Sequence, residues 1–269
     1  MITREPHPFQ EPSCFLQRLG QGTIRTLMGV GRATLIAIGA FGAMRHAFTK
    51  RGRREIAVQI YVGGIKSLPV VTFVAFFIGM ILALQIGIEL KKMGQEAFIG
   101  PAVMASMLRE MGPFMSGLVL AACVGAAMAA QLGTMTINDE IAALEIMSID
   151  PIRFLVMPRM VAMALLVPLL SFYTCMMGLV GGAVVSRMQL QVSWAAYFRD
   201  AMEYASLRAL NVGMFKALVF GILITTVACN EGFSTRHGAA GVGAATRRCV
   251  VICFLLILVS GYFVTRLFY

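Results

Sequence analysis

Arg109 and Glu110 stand side by side in a stretch that carries no other charge from about Ala97 to Met135. If a helix begins near Ala97, the pair lies ~18 Å along it, inside a hydrocarbon layer ~30 Å thick. Ionisable groups at that depth are costly, and by default they mark function. Adjacent helical residues point about 100° apart, so the two cannot neutralise each other well. Each needs a partner on another segment or a wet cavity. Two chemistries fit the pair: a cavity that receives a charged lipid headgroup, or a structural ion pair that ties helices together. A third use, Glu110 as the acid/base of a membrane enzyme acting on lipid, predicts turnover by the isolated chain.

A second cluster follows. After Glu110, 28 residues pass uncharged; then Asp139, Glu140, Glu145 and Asp150 arrive within twelve positions, with Arg153 and Arg159 behind them. The spacing predicts a short helix over 136–150, outside the membrane. Ile137, Ile141, Leu144 and Met147 form one stripe, and Ala142, Ile146 and Ile149 form another, flanked by Asp139 and Glu145. Such a helix is either a solvated loop or an acid-flanked knob for a partner groove with a basic rim.

Other chemistries are absent from the pattern. No GxxxxGK[ST] occurs, so the chain has no P-loop of its own. Gly29-Val-Gly31 and Gly241-Val-Gly243 lack the third glycine and preceding strand of a dinucleotide fingerprint. His7, His46 and His237 are too dispersed for a metal triad, and the six cysteines form no CxxC pair. The cysteines read as small apolar fillers, and no metal or cofactor is expected in this chain.

The elements that hold these clusters are membrane spans. Hydrophobic residues make up 58% and charged residues 13%, and the mean hydropathy is +0.80. That balance predicts an all-α integral membrane protein. The net charge of +10 fits basic membrane flanks, since no Lys/Arg cluster with interleaved aromatics forms a nucleic-acid module. Five transmembrane helices are predicted, at about 65–90, 97–135, 154–186, 209–229 and 249–265. Residues 1–60 form a separate N-terminal region ahead of a transmembrane unit at 61–269. Within it, Arg18, Arg25 and Arg32 recur every seven residues, which predicts an amphipathic interfacial helix or a bent pair of them. A cleavable signal peptide is not expected. Basic residues up to Arg54 place the N-terminus in the cytoplasm, and five spans then put the C-terminus outside. The acidic helix and the glycine-rich segment NEGFSTRHGAAGVGAATRR fall on one side. Gly112-Pro113 is expected to break the overlong second segment, because the ring displaces the bond to the Arg109 carbonyl. Past it, Gly117, Ala121, Gly125 and Ala129 make a small-residue face for close helix contact.

LREMGP, then QLGTMTINDEIAALEIMSIDPIRFLVMPR, then GFSTRHGAAGVGAATRR together resemble the MlaE permease family, over Ile24 to Phe268. The resemblance implies the membrane subunit of an ABC-type phospholipid transporter in the bacterial inner membrane, one that maintains outer-membrane lipid asymmetry. It further implies a homodimer, cytoplasmic ATPase subunits that bind ATP and Mg, and a periplasmic MCE-domain protein. By position, Thr136–Asp150 matches the coupling helix that inserts into the ATPase, with Asp139, Glu140, Glu145 and Asp150 as its acids. Arg109, Glu110, Met111, Leu82 and Leu90 match lipid-cavity positions. A structural scaffold for the MCE protein is the other reading, and it predicts that charge reversal at Asp139 or Glu145 leaves transport intact. Cys123, Gln131 and Gly261 stand where the family has arginine, glutamate and aspartate. They are expected to be one buried network lost together, because a single stranded partner would cost ~3–5 kcal/mol.

Overall fold

The computed structural model describes residues 15–42, 50–236 and 238–268. Arg45, the three histidines, Cys14 and the side chains of Arg18 and Arg25 lie outside that description. Among the described residues the chain is helical throughout. α1 (Phe15–Gly42), α2 (Lys50–Lys92), α3 (Glu96–Ile137) and a short α4 (Glu140–Ile146) are followed by α5 (Ile152–Gln189), α6 (Trp194–Glu203), α7 (Leu207–Phe233) and α8 (Gly238–Phe268). Five of these, α2, α3, α5, α7 and α8, are long and apolar enough to cross a membrane. Large apolar side chains such as Phe73, Leu169 and Phe263 stand outward at 62–65% exposure, as a surface facing lipid requires.

α1 is one continuous helix despite its glycines. It lays Ile36, Ala37 and Ala40 against Leu132, Val156 and Cys229 at one end of the bundle. α2 starts fifteen residues before the expected span and runs through residue 60, so the expected boundary there falls inside a helix. α2 and α5 run backbone against backbone: a Cβ on Gly79 would fall onto the Gly178 carbonyl, and one on Gly181 onto the carbonyl of Phe76. The small-residue face of α3 packs within the subunit, Gly117 on Phe220 and Gly125 on Ile224.

α3 does not break at Gly112-Pro113. The turn Met107–Met111 widens to a π-turn, and Gly112 N–H reaches back to the Met107 carbonyl. A second wide turn follows at Ala121–Gly125. Widening absorbs the proline without ending the helix.

At one end, Thr136 Oγ1 donates to the Gly232 carbonyl (3.1 Å), tying the foot of α3 to that of α7. α4 and the segment between α7 and α8 therefore share that end. At the other, α6 is capped by Ser193 Oγ, which accepts from Ala196 N–H (3.2 Å), and it buries Tyr197 against the start of α3. Burial pushes the Tyr197 phenol above its ordinary range.

A buried ion pair and its cavity

Proline has no N–H, so the Arg109 carbonyl, four residues before Pro113, loses its helical donor. Lys216, reaching across from α7, supplies the replacement: Nζ donates to that carbonyl at 2.9 Å. The same ammonium meets Glu110 Oε1 at 2.6 Å, and Thr265 Oγ1 of α8 donates to that oxygen at 2.8 Å. The Lys216 side chain is 1% exposed and that of Glu110 44%. One lysine thus closes a helix defect and neutralises a carboxylate inside the span. A lone buried ammonium would be untenable there, whereas a paired and hydrogen-bonded one is not.

The pair edges a cavity of about 390 Å³ between α3, α7 and α8. Glu110, Lys216, Tyr262 and Thr265 make its polar wall, and Phe114, Phe220, Ile257 and Leu258 much of its apolar wall. Along α8 the two walls are graded, since Thr265 lies eight residues, or ~12 Å, beyond Ile257 toward the C-terminal end. The arrangement suits an amphipathic guest.

Of the residues expected to line one cavity, Glu110 and Met111 do so. Arg109 contributes through its backbone carbonyl, while its side chain stands exposed. Leu82 and Leu90 are not brought to this cavity; they sit on α2, which faces α5, and pack around Ile99, Met104 and Tyr197. Lys216, Thr265 and Phe220 were not foreseen as site residues. The available signal was a lysine in an otherwise apolar span, unexplained until paired with the equally exceptional Glu110.

The acidic element is shorter than expected. Thr136 and Ile137 complete α3, Asp139 takes a left-handed conformation (φ 56°), and the helix itself covers only Glu140–Ile146. Asp139, Glu140, Glu145 and Asp150 are all exposed. Ile146 is 85% and Met147 62% exposed between them. Asp150 has a local task as well: its Oδ1 accepts from Ile152 N–H at 2.9 Å, at the start of α5.

Cys123, Gln131 and Gly261 do not form the single network expected. Cys123 is exposed; Gln131, eight residues and ~12 Å further along α3, faces Arg159; Gly261 lines the Glu110 cavity beside Phe220. Nor were all charges lost together. Arg159 is 7% exposed, and its one partner among the described residues is Gln131 Oε1, at a long 3.5 Å. Its Nε and Nη1 have none there.

Five bilayer-length helices around an internal ion pair and a graded cavity define a multi-pass helical membrane protein with its polar site between spans. The Permease MlaE family model matches residues 56–267, and the chain belongs to that family. A Rickettsia conorii protein named as an ABC transporter permease is 35% identical over 93% of this chain and 96% of its own length. The MlaE permease protein of the Haemophilus influenzae intermembrane phospholipid transport system is 30% identical over 95% of this chain and 97% of its own. The chloroplastic trigalactosyldiacylglycerol 1 protein of Arabidopsis thaliana is 30% identical over 80% of this chain and 62% of its own. The chain is accordingly an ABC transporter permease of the MlaE family.

Proposed function

We propose that this permease carries phospholipid between the inner and outer membranes of a two-membrane cell, as the inner-membrane subunit of a system that maintains outer-membrane lipid asymmetry. The observation that carries this reading is the graded cavity: a carboxylate–ammonium pair at one end and an apolar floor at the other, inside a span. Its volume lies at the low end of pockets that enclose drug-sized ligands, about 300–1,000 Å³. One copy therefore holds a headgroup and the first part of its chains. A second copy against the outward face of α8, where Leu258 and Tyr262 stand exposed at 43% and 67%, completes the enclosure. The homologous Haemophilus influenzae protein, named for phospholipid transport, supports the substrate class.

The energy comes from cytoplasmic ATPase subunits that bind ATP and Mg. α4 offers them exposed apolar residues ringed by Asp139, Glu140, Glu145 and Asp150, which suits a groove with a basic rim. This arrangement puts the N-terminus and α4 in the cytoplasm and the C-terminus in the periplasm, where an MCE-domain protein receives the lipid. ATPase closure pushes on α4, and the Thr136–Gly232 bond passes that push to α7 and its Lys216.

Filling the cavity tests the reading. Gly261→Trp, reconstituted with the ATPase and the MCE protein, should lose co-purifying phospholipid and intermembrane transfer while the ATPase still binds. Undiminished transfer with the cavity filled would sink the proposal.

A further inference from the structure

The polar wall of the cavity is one-sided, and that asymmetry selects a headgroup. Lys216 is the cation among the lining residues, yet its side chain is 1% exposed and its ammonium is directed at Glu110 Oε1 and the Arg109 carbonyl. A guest in the cavity does not reach it. Glu110 is the opposite case: its side chain is 44% exposed, Oε1 takes both donors, and Oε2 has no donor among the described residues. Thr265 spends its single proton on Glu110 Oε1 or the Gly261 carbonyl, so toward the lumen it shows lone pairs. An ionised carboxylate accepts and cannot donate. Apart from the Tyr262 hydroxyl, which is neutral and can donate or accept, the open cavity thus presents acceptors, with its positive charge sealed behind them.

We propose that Glu110 Oε2 is the receptor for a lipid ammonium, and that the permease takes amine-bearing phospholipids, phosphatidylethanolamine in type, in preference to phosphatidylglycerol. This rests on the cavity being the lipid site. An ethanolamine headgroup supplies the N–H donors and positive charge that Oε2 lacks. A glycerol headgroup brings only neutral hydroxyls, so its lipid carries an uncompensated phosphate charge to a wall with no accessible cation. The phosphate is common to both lipids and does not discriminate between them. Discrimination comes from the ammonium–carboxylate ion pair, which one lipid makes and the other, donating only neutral hydroxyls, cannot.

The test places the full chain in bilayers of equal phosphatidylethanolamine and phosphatidylglycerol with identical acyl chains. The protein is then extracted in mild detergent, and the retained lipid is identified by mass spectrometry. Retention by Gly261→Trp, whose cavity is filled, defines the background of surface lipid. Above it, the native chain should show about tenfold enrichment of the amine lipid. Glu110→Gln combined with Lys216→Met removes carboxylate and ammonium together and should abolish the enrichment. Should that double variant fail to fold, Glu110→Asp keeps the charge pair, withdraws the oxygen by one methylene, and should cut the enrichment severalfold. Equal retention of both lipids by the native chain, or enrichment that survives these substitutions, overturns the headgroup assignment and leaves the lipid cavity standing. No retention above background by the native chain removes both.

Discussion

Lys216 Nζ and Glu110 Oε1 meet at 2.6 Å across 106 residues of sequence, and the same nitrogen holds the carbonyl that Pro113 leaves without a helical donor. The proline, the wide turn before it and the intramembrane charges are therefore one construction. Lys216→Met takes the ammonium away from both the Glu110 carboxylate and the Arg109 carbonyl. Since Glu110 is half-exposed, the loss should sit at the low end for a broken buried pair, about 3 kcal/mol. Adding Glu110→Gln should recover part of it. Thermal unfolding in detergent measures both, and strictly additive losses would show that the two side chains are not coupled.

Arg159 is buried with two of its nitrogens, Nε and Nη1, unpartnered among the described residues and an amide where a carboxylate would serve better. Gln131→Glu should stabilise the protein by about 1–2 kcal/mol, since a charged acceptor makes a stronger bond to guanidinium than a neutral amide. A lower melting temperature would mean that Arg159 does not turn to this position.

The α2–α5 seam leaves no room for a methyl group. Gly79→Ala would drive a Cβ into the Gly178 carbonyl, and such overpacking costs about 1–3 kcal/mol. Gly31→Ala on α1 meets nothing within 4 Å and should gain up to about 1 kcal/mol from helix propensity. The contrast between the two, read in one unfolding assay, checks the seam.

How far this was legible in the sequence follows from the range of each interaction. Hydropathy is local, so the five long apolar helices could be read directly. The acids after Asn138 could also be read, because an exposed helix writes its pattern in consecutive residues. Lys216 could not be assigned, because nothing near it in sequence names Glu110 as its partner. Leu82 and Leu90 were set beside Glu110 on resemblance alone, and the α2–α5 seam carries them elsewhere. The Gly112-Pro113 break failed for a related reason: the lost hydrogen bond was foreseen, but its rescue comes from another helix. The network expected of Cys123, Gln131 and Gly261 presumed a shared depth, and helix rise alone separates Cys123 from Gln131 by ~12 Å.

The central claim is that this chain supplies a lipid path and a coupling knob while a partner supplies the energy. Reversing charge on the knob with Glu145→Lys, and separately Asp139→Lys, tests it most directly, because both side chains are exposed and the fold should not change. Affinity purification of the permease, followed by ATP-driven phospholipid transfer between vesicles, gives the readout. The account predicts that the folded variants lose the ATPase and, with it, transfer. Normal ATPase recovery and normal transfer in both variants would contradict it.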